Sequence, residues 1–175
     1  SNQLVTINPI GENQQKVFDA WAKEKNLFLT GSAGTGKTFV LLHLAFKAVL
    51  DKGQPYDKVV LVRSLLPSRD IGFLPGTLEE KSDLYQDPYR ILIRYLFEMP
   101  SEQGHNVLYS KLIEQGSLEF YSTSFLRGQT FDRSIIIVDE ASNMIFQELD
   151  TIMTRVGQDS MICFAGDMAQ SDLRK

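Results

Sequence analysis

Apolar residues along the chain gather in short runs that alternate with longer stretches of helical periodicity. The runs that fit buried strands are 26–31, 58–64, 117–122, 134–141 and 161–167. The stretches that fit helices are 37–50, 88–98, 106–115 and 142 to about 156. Because strands that alternate with helices are typical of parallel sheets, we predict an α/β fold with a doubly wound parallel sheet and helices on both faces.

Local signals set the expected ends of these helices. The stretch "KTFVLLHLAFKAVL" (37–50) is apolar on nearly all sides, which predicts a helix buried against the sheet. Pro88 follows a capping aspartate, and Gly116 should close the third helix. Ser142 is expected to cap the last helix, with Gly157 just beyond its end.

The first strand leads into "GSAGTGKT" (31–38), which matches the pattern G-x-x-x-x-G-K-[ST]. Glycines allow a tight turn whose N–H groups point at phosphate oxygens, and the following helix adds the positive end of its dipole. Lys37 would reach the β- and γ-phosphates, and the Thr38 hydroxyl would ligate Mg²⁺. The alternative is a glycine-rich turn that arose by chance. The predicted nucleotide-binding residues are Gln14, Gly31, Ser32, Ala33, Gly34, Thr35, Gly36, Lys37, Thr38 and Phe39.

An acid pair follows the strongest predicted strand, in "SIIIVDEA". In a parallel sheet, ligands bind at the carboxyl ends of the strands, so Asp139 is expected to hold the magnesium. Glu140 would polarise an attacking water, which favours hydrolysis over transfer to a bound acceptor. The alternative is that both acids are ordinary polar residues at a strand end.

Two amides are candidates for reading the nucleotide. Gln170 lies in "GDMAQSD" after the last strand, where an amide can contact both a γ-phosphate oxygen and the attacking water. Gln14 lies upstream of the glycine loop, where an amide can read the adenine edge. A plain loop and a solvated helix start are the respective alternatives.

Bulk composition narrows the class of protein. With 175 residues, 43% of them hydrophobic, the chain fits one domain over residues 1–175. A net charge of −4 argues against a protein that coats nucleic acid. The lone Cys163 indicates a core residue in a protein of a reducing compartment. No apolar run approaches the roughly 20 residues of a membrane span. We therefore expect a cytoplasmic protein. Because no closing element follows "SDLRK", we expect the natural protein to continue beyond Lys175.

Taken together, these motifs resemble the PhoH-like family of ATPases, which are relatives of superfamily-one helicases with a RecA-like core. The resemblance rests on the glycine loop and on three further blocks in the family's order: "IGFLPGTLEEKSDLY" (71–85), "FLRGQTFDRSIIIVDEASNM" (125–144) and "GDMAQSDL" (166–173). It implies ATP and Mg²⁺ as cofactors, Glu140 as the catalytic base, Gln170 as the γ-phosphate sensor and Gln14 as the adenine-reading amide.

The resemblance further implies RNA or single-stranded DNA as a partner and a homo-oligomer, by analogy a hexamer. An arginine from a neighbouring subunit would complete such a site, but none is assigned here. Two other functions stay open: a small-molecule phosphotransferase, and a nucleotide-dependent switch with slow hydrolysis.

Scattered basic and aromatic residues are candidates for a nucleic-acid surface, although such residues occur on most surfaces or in cores. The basic candidates are Arg63, Arg90, Arg94, Lys111, Arg127 and Arg133. The aromatic candidates are Tyr85, Tyr89, Tyr95, Phe125 and Phe131.

Overall fold

The computed structural model describes residue 4, the backbone of residues 27–30, and the ranges 36–64 and 88–166. Its strands are β1 (Leu27–Thr30), β2 (Lys58–Arg63), β3 (Leu118–Ser122), β4 (Ser134–Val138) and β5 (Met161–Gly166). Its helices are α1 (Lys37–Leu50), α2 (88–96), α3 (Glu102–Glu114) and α4 (Phe146–Met153), with 3₁₀ turns at Thr123–Phe125 and Ala141–Asn143.

The described strands form one sheet in the order β1-β5-β4-β2-β3, and every neighbouring pair is parallel. The carboxyl ends of all five strands therefore lie at one edge. A single strand, β5, separates β1, which enters the glycine loop, from β4, which leads to the acid pair.

Each face of the sheet has its own apolar cluster, because successive side chains of a strand point to opposite faces. Val59 and Leu61 pack with the buried side chains of α1, α2 and α3 on one face. Val60 and Val62 pack with Ile152 of α4 on the other. The predicted doubly wound parallel sheet, with helices on both faces, is confirmed.

The helix α1 is buried almost all round, as its sequence predicts. Its buried residues are Val40, Leu41, Leu42, His43, Leu44, Ala45, Phe46 and Ala48. Cys163 of β5 lies fully inside the same cluster, and burial raises the pKa of its thiol to about 12. The cysteine is thus part of the core, as predicted.

The predicted start of the third helix is wrong by one turn. The helix begins at Glu102 rather than residue 106, because the Ser101 hydroxyl accepts a hydrogen bond from the Gly104 N–H at 3.0 Å and so caps it. Its end agrees with the prediction: Gly116 follows with φ 76°, a left-handed conformation that suits glycine.

The segment after β4 also differs from the prediction. The strand ends at Val138, Ser142 lies in the 3₁₀ turn, and α4 spans only Phe146–Met153. The physical reason is a break at Glu140, whose φ of 54° and ψ of 37° fit neither strand nor right-handed helix. The backbone at the acid pair is therefore a tight turn, and Ser142 is not a helix cap.

Candidate active site

The glycine loop enters α1 through a left-handed residue. Gly36 has φ 73° and ψ 17°, and its carbonyl accepts the first helical hydrogen bond from the Val40 N–H at 3.0 Å. This conformation suits glycine because a side chain would be strained there. Lys37 and Thr38 consequently occupy the first turn of the helix, at the positive end of its dipole.

Both of these side chains reach the edge formed by the strand ends. The Lys37 ammonium donates to the carbonyl of Gly166, the last residue of β5, at 3.3 Å. The Thr38 hydroxyl donates to Asp139 Oδ1 at 3.4 Å. The structure thus brings together three of the predicted site residues, although Thr38 and Asp139 are 101 positions apart in sequence.

Asp139 is held by hydrogen bonds on both carboxylate oxygens. Besides Thr38, Oδ1 accepts from the Glu140 N–H at 2.9 Å, and Oδ2 accepts from the Tyr89 hydroxyl at 2.6 Å. The Asp139 N–H donates to the Val62 carbonyl of β2 at 3.0 Å, which extends the ladder past the end of β4. Side chains and backbone from three elements therefore fix the orientation of this carboxylate.

Tyr89 was a candidate for stacking nucleic-acid bases, with a position in the core as the alternative, and the structure places it in the core. The ring of Tyr89, a residue of α2, is buried and packs against Phe120. Its hydroxyl donates a hydrogen bond to Asp139. Burial, followed by the nearby Asp139 charge, raises the pKa of Tyr89 far above its usual value, so the hydroxyl stays a donor. No sequence signal distinguishes this tyrosine from any other aromatic residue in a helix.

Glu140 is paired with Arg63, the last residue of β2. The guanidinium donates from Nε to Oε2 at 3.2 Å and from Nη2 to Oε1 at 2.8 Å. Burial alone would lower the pKa of Arg63, but Tyr89 and the two acids raise it above its usual value. Arg63, a candidate for nucleic-acid contact, is thus engaged with Glu140 at two points.

The donor set at this edge suits magnesium. A hydroxyl and a carboxylate are hard oxygen ligands, and Mg²⁺ usually takes one or two protein ligands together with waters and substrate phosphates. Within the described ranges no group of three His, Cys, Asp or Glu side chains could hold a metal, so an all-protein cage is not found there. Thr38 and Asp139 are the two side chains that could share a magnesium with a phosphate.

Several predicted site residues lie outside the described part of the chain. They are Gln14, Gly31, Ser32, Ala33, Gly34, Thr35 and Gln170. Phe39 is described and lies partly buried against the α1 side of the core. The roles of all these residues stay predictions.

Three of the five other basic candidates for nucleic-acid contact have protein partners. Arg90 bonds Asn106 at 2.8 Å and lies over the Tyr109 ring, while Arg94 and Arg133 pair with acids. Phe131 is buried, which agrees with the alternative that it belongs to the core. Tyr95 and Phe125 remain exposed, at 68% and 51% of their surface, and Lys111 and Arg127 are exposed too. Tyr85 lies outside the described residues.

Membrane insertion finds no support in the described helices, because each of them is too short or too polar to cross a bilayer.

Comparison with known proteins places these features in a family. A family model described as PhoH-like protein matches residues 6–175. The PhoH-like protein of Mycobacterium leprae is 34% identical over 169 residues, which are 96% of this chain and 46% of the relative. Protein PhoH of Escherichia coli K12 is 32% identical over 165 residues, which are 93% of this chain and 44% of the relative. Protein PhoH2 of Bacillus subtilis is 37% identical over 145 residues, which are 82% of this chain and 32% of the relative. The chain thus spans less than half the length of these relatives.

Among solved structures, the SWI2/SNF2 ATPase core of Sulfolobus solfataricus in complex with dsDNA superposes with a TM-score of 0.54. The alignment covers 99% of this chain and 35% of that chain, at 13% identity. At that identity the likeness concerns the fold alone.

Proposed function

Because the chain belongs to the PhoH-like family, we propose that it binds ATP with Mg²⁺ and hydrolyses it. The observation that carries the proposal is the contact of Thr38 with Asp139, at the same edge of the sheet where the Lys37 ammonium contacts Gly166. It supports a site in which the glycine loop and the acid pair act on the same phosphate group. Relation to helicase-type ATPases suggests the same broad class, a nucleotide-dependent enzyme.

In the proposed reaction each described residue has one task. The Lys37 ammonium offsets the charge of the β- and γ-phosphates, and Thr38 and Asp139 would hold the magnesium, which would neutralise charge developing on the phosphate oxygens. The oxygen of a water attacks the γ-phosphorus, and the bond to the bridging oxygen breaks with its electron pair leaving on ADP. Glu140 accepts the proton of that water. Gln170 would orient the water, and Gln14 would read adenine.

The test of this proposal compares the full chain with Glu140→Gln. We expect the variant to bind a fluorescent ATP analogue like the wild type, because a neutral amide of the same shape replaces the base. Its phosphate release should fall by roughly a hundredfold or more, the scale of losing a general base. Glu114→Gln, which alters an exposed acid at the end of α3, is the matched control and should leave turnover unchanged.

One result would contradict the assignment of Glu140, and two others would contradict the proposed hydrolysis itself. If Glu140→Gln loses nucleotide binding itself, its assignment as the base is wrong. If labelled γ-phosphate appears on a small acceptor and not as inorganic phosphate, the protein is a phosphotransferase. If ATP binds tightly but the wild type shows negligible turnover under all conditions, the protein is a nucleotide-dependent switch.

We further propose that RNA or single-stranded DNA stimulates the hydrolysis. The support is the family membership together with the exposed aromatic residues Tyr95 and Phe125, which offer faces for base stacking. Phosphate release measured with and without RNA should rise with RNA, and the stimulation should weaken as salt increases. If phosphate release is equally fast with and without RNA at every salt concentration, this coupling is contradicted.

We also propose a homo-oligomer, with a hexamer expected from the family, in which a neighbour completes the site. Mass measurement with and without ATP tests it. If the protein is a monomer and its turnover per chain does not depend on protein concentration, a site shared between subunits is contradicted.

A further inference from the structure

Arg63 and Glu140 form a two-point ion pair at the edge where the proposed reaction occurs. The guanidinium contacts both carboxylate oxygens, at 3.2 Å and 2.8 Å, in the fork geometry that arginine makes with carboxylates. The Arg63 side chain is 23% exposed and that of Glu140 48%. The pair is therefore partly sheltered, and its geometry constrains the acid more than a single contact would.

The backbone of Glu140 adds a second reason to regard its orientation as set. Its left-handed conformation, at φ 54°, is uncommon for a residue with a side chain and is strained. Strain of this kind persists where neighbouring contacts over-determine it. Here the Glu140 N–H donates to Asp139, its carbonyl accepts from the Asn143 N–H at 3.0 Å, and its carboxylate meets Arg63.

The end of β2 holds this segment at two successive residues. Arg63 contacts Glu140, and the Ser64 hydroxyl donates to Glu148 Oε2 of α4 at 2.7 Å. The same Glu148 oxygen accepts from the Thr123 hydroxyl at 2.6 Å. The end of β2 thus contacts both the turn that carries the acid pair and the helix α4 that follows it.

We propose that Arg63 is a positioning residue that holds the Glu140 carboxylate in the orientation from which it accepts the proton of the attacking water. This inference rests on the proposed hydrolysis and on Glu140 as its base. A carboxylate has about four acceptor sites, and the two contacts with Arg63 use only some of them. The remaining ones are available to a water, so the pairing restricts orientation without removing the ability to accept a proton.

The test measures kcat and KM for ATP in Arg63→Gln and Arg63→Lys, without nucleic acid. We expect Arg63→Gln to lower kcat by roughly ten- to a hundredfold, the usual cost of removing an outer positioning contact. KM for ATP should stay near the wild-type value, because no ATP contact is assigned to Arg63. Arg63→Lys keeps the charge but not the two-point contact, so its kcat should lie between those of the wild type and Arg63→Gln. Arg94→Gln, which breaks an exposed pair with Glu102, is the matched control and should leave kcat unchanged.

A double substitution tells whether Arg63 acts through Glu140. In the Glu140→Gln background, the further change Arg63→Gln should lower kcat no further, because the base it positions is already absent. A full additional loss would show that Arg63 acts on phosphate or elsewhere, and would overturn the proposal. A kcat equal to that of the wild type in either Arg63 variant would also overturn the proposal. If a thermal melt shows that Arg63→Gln does not fold, the kcat of Arg63→Lys decides the question.

The same series separates this inference from the proposed function. If the wild type hydrolyses ATP and Glu140→Gln does not, but the Arg63 variants match the wild type, only the positioning role is wrong. If the wild type releases no phosphate with or without RNA, both proposals are wrong.

Discussion

The two sides of the candidate site are held in place by different forces. On the α1 side, Lys37 and Thr38 begin a helix whose next turns are buried among apolar side chains of one sheet face. On the carboxylate side, Asp139 and Glu140 lie in a turn outside regular structure, where hydrogen bonds and an ion pair fix them. The first side depends on packing, and the second on polar contacts with β2 and α2.

This difference determines which kinds of substitution each side tolerates. Burial is non-directional, so α1 should accept side-chain changes that preserve apolar volume. Polar contacts are directional, so the loss of one donor should misdirect a carboxylate without unfolding the chain. The substitutions that follow act on one side at a time.

The largest effect is expected from Lys37→Ala, which removes the ammonium group of the α1 side. The apolar side chains of α1 stay buried in this variant. In the proposed reaction the ammonium offsets phosphate charge, so its loss should weaken nucleotide binding and lower turnover by roughly a thousandfold. Phosphate release and binding of a fluorescent ATP analogue are the measurements. The matched control is Lys47→Ala, an exposed lysine of the same helix, which should behave as the wild type. Turnover near the wild-type rate in Lys37→Ala would remove the phosphate-binding role.

The α1 side and the strands were predictable from the sequence because their determinants are local. A continuous apolar run marks a strand buried on both faces, and a strand, a glycine loop and a helix follow one another within residues 26–50. The pattern therefore identified all five described strands, and it placed Lys37 and Thr38 at the helix start.

The carboxylate side was only partly predictable, because its geometry depends on residues distant in sequence. Asp139 was identifiable as a polar residue after a strand, but Tyr89 and Arg63 are 50 and 77 positions away from the acids they contact. The left-handed turn at Glu140 likewise has no signal in "VDEASN", where Ser142 looks like an ordinary helix cap. Periodicity describes one element at a time, so it cannot show a contact between two strand ends.

A smaller effect is expected from Tyr89→Phe, which removes one hydrogen bond from the carboxylate side. The ring stays packed against Phe120, with centroids 6.1 Å apart, so only the donor to Asp139 Oδ2 is lost. If Asp139 holds magnesium as proposed, misorienting its carboxylate should raise the magnesium concentration needed for half-maximal phosphate release by about tenfold. Tyr109→Phe trims a hydroxyl from a buried ring of the same cluster and should leave that midpoint unchanged. An unchanged midpoint in Tyr89→Phe would show that its hydrogen bond does not orient the metal site.

The smallest effect is expected at His43, the one buried polar side chain of α1, where stability and not turnover should change. Burial, followed by the nearby Lys47, lowers the pKa of His43 below its usual 6.5, and its Nδ1 has no hydrogen-bond partner among the described residues. The folded ring therefore takes up a proton less readily than the unfolded chain, which does so as pH falls through 6.5.

The folded state should accordingly lose stability as pH falls below 6.5, and the loss from this one group is at most about 1.4 kcal/mol for each pH unit. His43→Leu removes the proton uptake, so urea midpoints of the variant should change less than those of the wild type between neutral and mildly acidic pH. Because the change adds no polar group and removes no contact of Lys37, phosphate release at neutral pH should match the wild type. If the urea midpoints of both proteins change equally with pH, the buried face of α1 tolerates a charged imidazole. Packing could then no longer be regarded as the force that distinguishes the α1 side from the carboxylate side.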